Sequence, residues 1–170
     1  MESLGFLVQG LEIALQPLNL LFAFIGCLIG TLVGVLPGIG PISGVALLIP
    51  VTAAFTSGLP PEDAATSSII LLAGVYYGAM YGGSTTAILI NTPGENSSVC
   101  TTLDGYQMAK QGRAGAALAI CAIASFVAGL IATIGLLFMA KPLAEMALKF
   151  SPAGQFSLMI LGLCALSSLA

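Results

Sequence analysis

The sequence predicts an all-α polytopic membrane protein whose transmembrane helices are interrupted or re-entrant at Gly/Pro breaks. Three observations predict it. Only 11 of 170 residues are charged, four Lys or Arg and seven Asp or Glu, and 58% are hydrophobic. Mean hydropathy is +1.07. A soluble domain carries roughly 25% charged residues, so this composition belongs to a chain solvated by lipid. The charges are also segregated: residues 13–61, 64–94, 114–140 and 150–170 contain none. A spanning helix needs about 20 mostly apolar residues, and each stretch supplies them. These continuous apolar runs lack the alternation of a β-barrel strand. Finally, two of the runs are cut by Gly/Pro clusters with no charged loop between the halves. The apolar content excludes disorder. A net charge of −3 offers no basic footprint for nucleic acid.

Residues 1–16 are too short and too polar to span, mixing Leu4, Leu7, Val8 and Leu11 with Glu2, Gln9, Glu12 and Gln16. They read as an interfacial helix, without the positive n-region of a signal peptide. Pro17 suits a helix start, and residues 18–36 give a first span. Gly26, Gly30 and Gly34 fall four apart on it, a spacing that lets a neighbouring helix approach closely. Pro37-Gly38-Ile39-Gly40-Pro41 then ends regular helix, yet apolar sequence resumes at once over residues 42–55. The break is therefore expected at membrane depth.

A polar turn, residues 57–63, precedes the next run, residues 64–90, with Glu62 and Asp63 placed for its first turn. Gly74, Gly78 and Gly82 repeat the four-residue spacing. The run is expected to break late, at Tyr81-Gly82-Gly83-Ser84-Thr85-Thr86, and again at Asn91-Thr92-Pro93-Gly94-Glu95-Asn96. Three glycines followed by a break thus occur twice, compatible with an internal repeat of the kind transporters contain and equally with chance. Residues 97–113 are a polar loop or short helix holding Asp104, Lys110 and Arg113. Residues 114–140 are a further span, which Lys141-Pro142 is expected to stop. Residues 143–149 form a short interfacial piece, and from Ser151-Pro152 a last apolar run reaches Ala170. The whole is expected to be one membrane domain, residues 1–170, the N-terminal half or less of a longer transporter, ending inside a transmembrane segment. Two basic residues precede the 114–140 span and two follow it, so charge does not set the orientation.

No catalytic constellation is visible. There is no His, no H-E-x-x-H and no acid inside a span, so the chain does not read as an enzyme. Cys27, Cys100, Cys121 and Cys164 form no C-x-x-C pair and read as packing residues. The breaks carry the functional signal. Non-helical backbone in a bilayer persists only where protein buries it or water reaches it. A helix starting at such a break aims unpaired amides, with partial positive charge, into the cavity. No Lys or Arg lies in the breaks. An anion would be held by amides at Gly38, Gly40 and Ser43 and hydroxyls at Ser84, Thr85 and Thr86. A hard cation would sit near Asn91 and Thr92, whose oxygens suit it. Glu95, the acid nearest a break, reads as a surface charge, a gate or a cation ligand, with the surface reading preferred.

Three stretches resemble a known family. Gly34-Val-Leu-Pro-Gly-Ile-Gly-Pro41, then Tyr76-Tyr-Gly-Ala-Met-Tyr-Gly-Gly-Ser-Thr-Thr-Ala-Ile-Leu-Ile-Asn-Thr-Pro-Gly-Glu95, then Leu103-Asp-Gly-Tyr-Gln-Met-Ala-Lys-Gln-Gly-Arg-Ala-Gly115 are similar to motifs of the tripartite tricarboxylate transporter family, in its large membrane subunit. The resemblance runs from about residue 18 to the end. It implies a multi-pass permease of the bacterial inner membrane that takes up carboxylates such as citrate by ion-coupled alternating access. It implies Na⁺ as the coupling ion, with H⁺ the other option, and no cofactor. The implied partners are a periplasmic substrate-binding protein and a small membrane subunit. By motif position the substrate and ion roles fall on residues 37–41 and 82–95, and the third motif reads as a gating or subunit-contact element. The other classes the sequence allows are a non-transporting membrane assembly subunit and a passive channel.

Overall fold

A computed structural model describes residues 2–169, with the side chains of residues 2–4, 6, 62, 166, 168 and 169 outside the description. Glu62, expected to complement the dipole of its helix, therefore has its side chain outside the described residues, and Ala170 at the apolar end of the chain lies outside them too. Among the described residues seven α-helices follow in order: α1 (Glu2–Ala14), α2 (Pro17–Gly34), α3 (Gly40–Thr56), α4 (Pro61–Ile90), α5 (Val99–Lys110), α6 (Ala114–Leu148) and α7 (Pro152–Leu169). No strand occurs among the described residues. Among the described residues three helices are long and apolar enough to cross a membrane: 17–34, 63–90 and 114–148. The chain divides into two compact units, residues 1–126 and 127–170.

Prolines begin four of these helices, where a missing N–H costs nothing: Pro17, Pro41, Pro61 and Pro152 occupy the first or second positions of α2, α3, α4 and α7. The joint between α1 and α2 is fastened by Asn19, whose Nδ2 donates to the Ile13 carbonyl at 2.8 Å. That carbonyl, in the last turn of α1, also accepts from the Gln16 amide at 3.2 Å, so the chain end of the helix is satisfied from two sides. Asn19 Oδ1 in turn accepts from Ser67 Oγ at 2.7 Å, so one buried amide ties α1, α2 and α4 together.

The first unit is organised by α2 against α4. A Cβ built on Gly26, Gly30 or Gly34 would overlap the carbonyl oxygens of Leu71, Val75 and Ala79 in turn. A Cβ on Gly74, Gly78 or Gly82 would overlap those of Ala23, Cys27 and Thr31. Each four-residue glycine row is thus the seat for the other helix's backbone, as small residues at that spacing allow. Both registers climb together, so α2 and α4 run parallel, and α3 makes the return. α3 packs back along α4, with Thr56 Oγ1 and Ser68 Oγ 3.0 Å apart. It spans 17 residues, about 25 Å of rise, and carries Pro50 in its interior. Phe22, Leu71 and Val75 form the core, with Val45, Leu48 and Leu59 packed on it. Most other large apolar side chains are exposed, including Ile42 and Leu32. Such a surface suits lipid or further protein rather than water.

Two sequence expectations are corrected here. The break at residues 81–86 does not occur, because α4 is continuous from Pro61 to Ile90. Gly82 and Gly83 are helical since both are buried against other backbone, and the hydroxyls that follow bond within the helix. Ser84 Oγ donates to the Met80 carbonyl at 3.2 Å, Thr85 Oγ1 to that of Tyr81 at 2.9 Å and Thr86 Oγ1 to that of Gly83 at 3.0 Å. Lys141-Pro142 likewise does not stop its helix, and residues 143–149 are no separate piece: α6 continues through Pro142 to Leu148. An interior proline leaves one carbonyl without its helical partner, and helices of this class tolerate it where neighbouring groups or local adjustment of the backbone satisfy that carbonyl. The polar segment expected over 97–113 contains a defined helix, α5, whose Gly105 fits under Ile88 of α4, a built Cβ standing 2.8 Å from Ile88 Cγ1.

Candidate functional site

Two chain breaks build the site. At the first, α2 ends with the Val35 amide donating to the Thr31 carbonyl at 3.1 Å and the Leu36 amide to that of Val33 at 3.0 Å. Gly38 and Gly40 then take φ of +91° and +65°, a region costly for residues with a Cβ. These two residues let the chain turn back into α3 within a few residues. A Cβ at either meets nothing within 4 Å, so the space beside them is open. α3 begins at Gly40 with no side-chain cap. The first amides of a helix have no intrahelical acceptor. Since Pro41 has no N–H, those of Gly40 and Ile42 are the ones presented.

At the second, α4 stops on Asn91 in the left-handed region (φ 57°, ψ 28°), a conformation Asn tolerates better than most residues. The Thr92 amide returns to the Thr86 carbonyl at 3.4 Å. The chain then folds back on α4, and the Gly94 amide donates to the Gly83 carbonyl at 3.4 Å. Buried Ser98 locks the turn: its Oγ donates to the Glu95 carbonyl at 2.8 Å and accepts from the Glu95 amide at 3.2 Å. Ser97 Oγ donates to Glu95 Oε1 at 2.7 Å.

The two breaks meet around one open cavity of about 490 Å³. Residues 38–43 form one side, residues 94–97 another, and Tyr76 and Met80 of α4 the wall between. That volume lies in the range of small-molecule sites. Among the described residues that line it, Glu95 is the only formally charged one, and none is Lys or Arg. The amides of a helix start, hydroxyls of Ser43 and Ser97, the Asn96 amide and the Tyr76 phenol are its polar groups. Such a set can hold a small anion by dipoles and hydrogen bonds rather than by a basic side chain.

The residues singled out in the sequence fall in different places. Gly38, Gly40 and Ser43 line this cavity. Ser84 instead lines a second cavity of about 430 Å³, with Thr101 and Asp104 of α5 and Ser125 of α6. Thr85 and Thr86 line neither, and Thr86 is buried. Asn91 and Thr92 also line neither; Asn91 is the exposed cap of α4, and Thr92 Oγ1 donates to the Ile90 carbonyl at 3.3 Å. Among the described residues, no group of three or more His, Cys, Asp or Glu is placed to hold a metal ion. Sequence reasoning missed Tyr76, Met80, Asn96 and Ser97. A signal for the first two exists: Tyr76 and Met80 are spaced i, i+4, each two residues after a member of the glycine row, Gly74 and Gly78. That spacing puts both on one face of α4, turned away from the face that seats α2.

Residues 20–170 match the family model described as the tripartite tricarboxylate transporter TctA family. Over all 170 residues the chain is 53% identical to an uncharacterised 52.8 kDa protein in the TAR-I ttuC' 3' region of Agrobacterium vitis. The chain spans 32% of that relative's length. No solved structure matches.

Proposed function

Because the chain belongs to the tripartite tricarboxylate transporter TctA family, we propose that it forms part of a large permease subunit that takes up carboxylates, tricarboxylates such as citrate among them, by ion-coupled alternating access. The observation that carries this reading is the convergence of both helix breaks on one cavity. Transporter sites are commonly built where discontinuous helices present half-helix N-termini to anionic groups. Here the start of α3 would receive the cargo carboxylate through the amides of Gly40 and Ile42, with Gly38 giving the loop its turn. Hydroxyls of Ser43 and Ser97 and the Tyr76 phenol would complete the contacts.

In this reading Ser84, Thr85 and Thr86 shape α4 rather than touch cargo, and Asn91 and Thr92 hold the turn that delivers Glu95. A cation, Na⁺ or H⁺, accompanies the substrate. The partners are a periplasmic substrate-binding protein and a small membrane subunit, and the location is the bacterial inner membrane. Rocking of one helical group against another would open the cavity to each side alternately. The test is citrate uptake by the full-length permease with its partner subunits in proteoliposomes. Uptake that requires an imposed Na⁺ or H⁺ gradient supports the permease. Uptake that runs equally without one identifies a passive channel, and no uptake of any carboxylate identifies an assembly subunit.

A further inference from the structure

We propose that Glu95 is the coupling residue of this cavity: its carboxylate must take up one positive charge, a proton or a monovalent cation, before an anionic cargo can occupy the site. The inference rests on the permease reading above. It starts from a conflict of charge. The cavity's single charged lining residue has the same sign as the proposed cargo. Two like unit charges ~6 Å apart at an effective dielectric of ~20 weaken binding on the order of 100-fold. A site built only to attract a carboxylate would not hold a glutamate there.

The placement of Glu95 is enforced. Gly94 seats its loop on Gly83, with a built Gly94 Cβ 2.5 Å from the Gly83 Cα. The stem of Glu95 crosses the same spot, its Cγ 3.4 Å from a Cβ built on Gly83. Ser98 holds its backbone on both sides. Glu95 as a residue is half-buried, with its carboxylate at the solvent-accessible side of the cavity, bonded to exposed Ser97. Ser97 engages Oε1 at 2.7 Å, and a carboxylate has a second oxygen for a proton or a cation. The Asn96 side chain and Ser97 hydroxyl add oxygens on the same wall.

Little else around it can exchange charge. Tyr76 of α4 is the one other titratable side chain lining the cavity. Tyr77 and Tyr81 of α4 do not line it, α2 brings only Cys27, and α3 has no titratable residue. α5 carries Cys100, Asp104, Tyr106 and Lys110, none of them in this lining, and Cys100 and Asp104 line the second cavity.

The experiment uses the full-length permease with its partner subunits in proteoliposomes, with citrate, malate and succinate as probes. One arm varies Na⁺ at fixed pH, and the other varies pH without Na⁺. The wild type is expected to respond at least tenfold in one arm, which identifies the cation. Glu95→Gln, which keeps shape and removes charge, is expected to flatten that arm, whatever its remaining rate. Glu95→Asp is expected to keep the dependence with a shifted half-saturation, and Ser97→Ala to shift it severalfold. A Glu95→Gln protein that retains the wild-type dependence overturns the proposal. If that variant fails to fold, unchanged half-saturation in both Glu95→Asp and Ser97→Ala overturns it. A wild type that takes up none of the probes overturns the permease reading instead, a result separable from the role of Glu95.

Discussion

Gly94 rests on Gly83: a Cβ built on Gly94 would stand 2.5 Å from the Gly83 Cα and 2.7 Å from the Gly34 carbonyl oxygen. That contact joins the loop after α4, α4 itself and the end of α2, the last of these distant in sequence from the other two. It brings the loop after α4 back onto α4 and onto the end of α2, beside the turn that starts α3. The cavity exists because these two backbones touch. Gly94→Ala is therefore expected to push the loop outward, at a cost of about 1–3 kcal/mol typical of overpacking. Thermal melting in detergent should show the loss, and citrate uptake by the full-length protein should fall at least tenfold. Gly115→Ala is the matched control, since its Cβ meets nothing within 4 Å. An alanine in that exposed helical position is expected to be neutral or stabilising by about 0.5–1 kcal/mol.

The glycine rows of α2 and α4 make a second expectation. Gly30→Ala and Gly78→Ala each place a methyl on a carbonyl oxygen of the facing helix, that of Val75 or Cys27. Backbone cannot yield as a flexible side chain does, so the helices must separate along their length. Each substitution is expected to cost about 1–3 kcal/mol. The double variant is expected to cost less than the sum, because one separation relieves both clashes. Melting temperatures of the two singles and the double test this directly.

The rows were legible in the sequence because packing this close needs a strict period, and the period is written in residue identity. The break at residues 37–41 was legible for a similar reason, since proline and positive-φ glycine act locally. The supposed break at residues 81–86 was misread because local propensity is weak against packing. Gly82 lies under Thr31 and Gly83 under Gly94, and neither partner is visible from the segment itself. The same gap hid how the site closes, since motif position gave a role to residues 82–95 but not their meeting with residues 38–43. Residues 94–97 join the cavity only through the fold-back onto Gly83, a contact between chain segments that share no pattern.

The buried Asn19–Ser67 bond offers a test of the α1–α2–α4 joint. Both residues are almost wholly enclosed, at 4% and 2% exposure, so a lost partner cannot be replaced by water. Ser67→Ala is expected to cost about 1–3 kcal/mol by leaving the Asn19 oxygen unpaired. Asn19→Leu removes the polar group at the same time as its bond to Ile13. The combination with Ser67→Ala is then expected to recover part of the single-variant loss, read as a coupling of about 0.5–2 kcal/mol in a double-mutant cycle. Strict additivity of the melting shifts would show that the bond is energetically silent.

The turn before α3 separates backbone demand from site demand. A Cβ at Gly38 or Gly40 has open space, so what glycine provides there is conformation. An L-residue at such φ costs about 1–2 kcal/mol, and a β-branched one suffers most. Replacing Gly38 and Gly40 together with Val is expected to abolish uptake, but a distorted turn and a blocked cavity would both do so. Gly40→Asn divides the two. At φ +65° Asn is tolerated in the left-handed region, as Asn91 at φ 57° already is in this chain. Its melting temperature is expected to stay close to the wild type. Its side chain enters the cavity at the start of α3, where the permease reading puts the cargo carboxylate, so on that reading KM for citrate is expected to rise severalfold. A normal melt with an unchanged KM would place the bound carboxylate somewhere other than the start of α3.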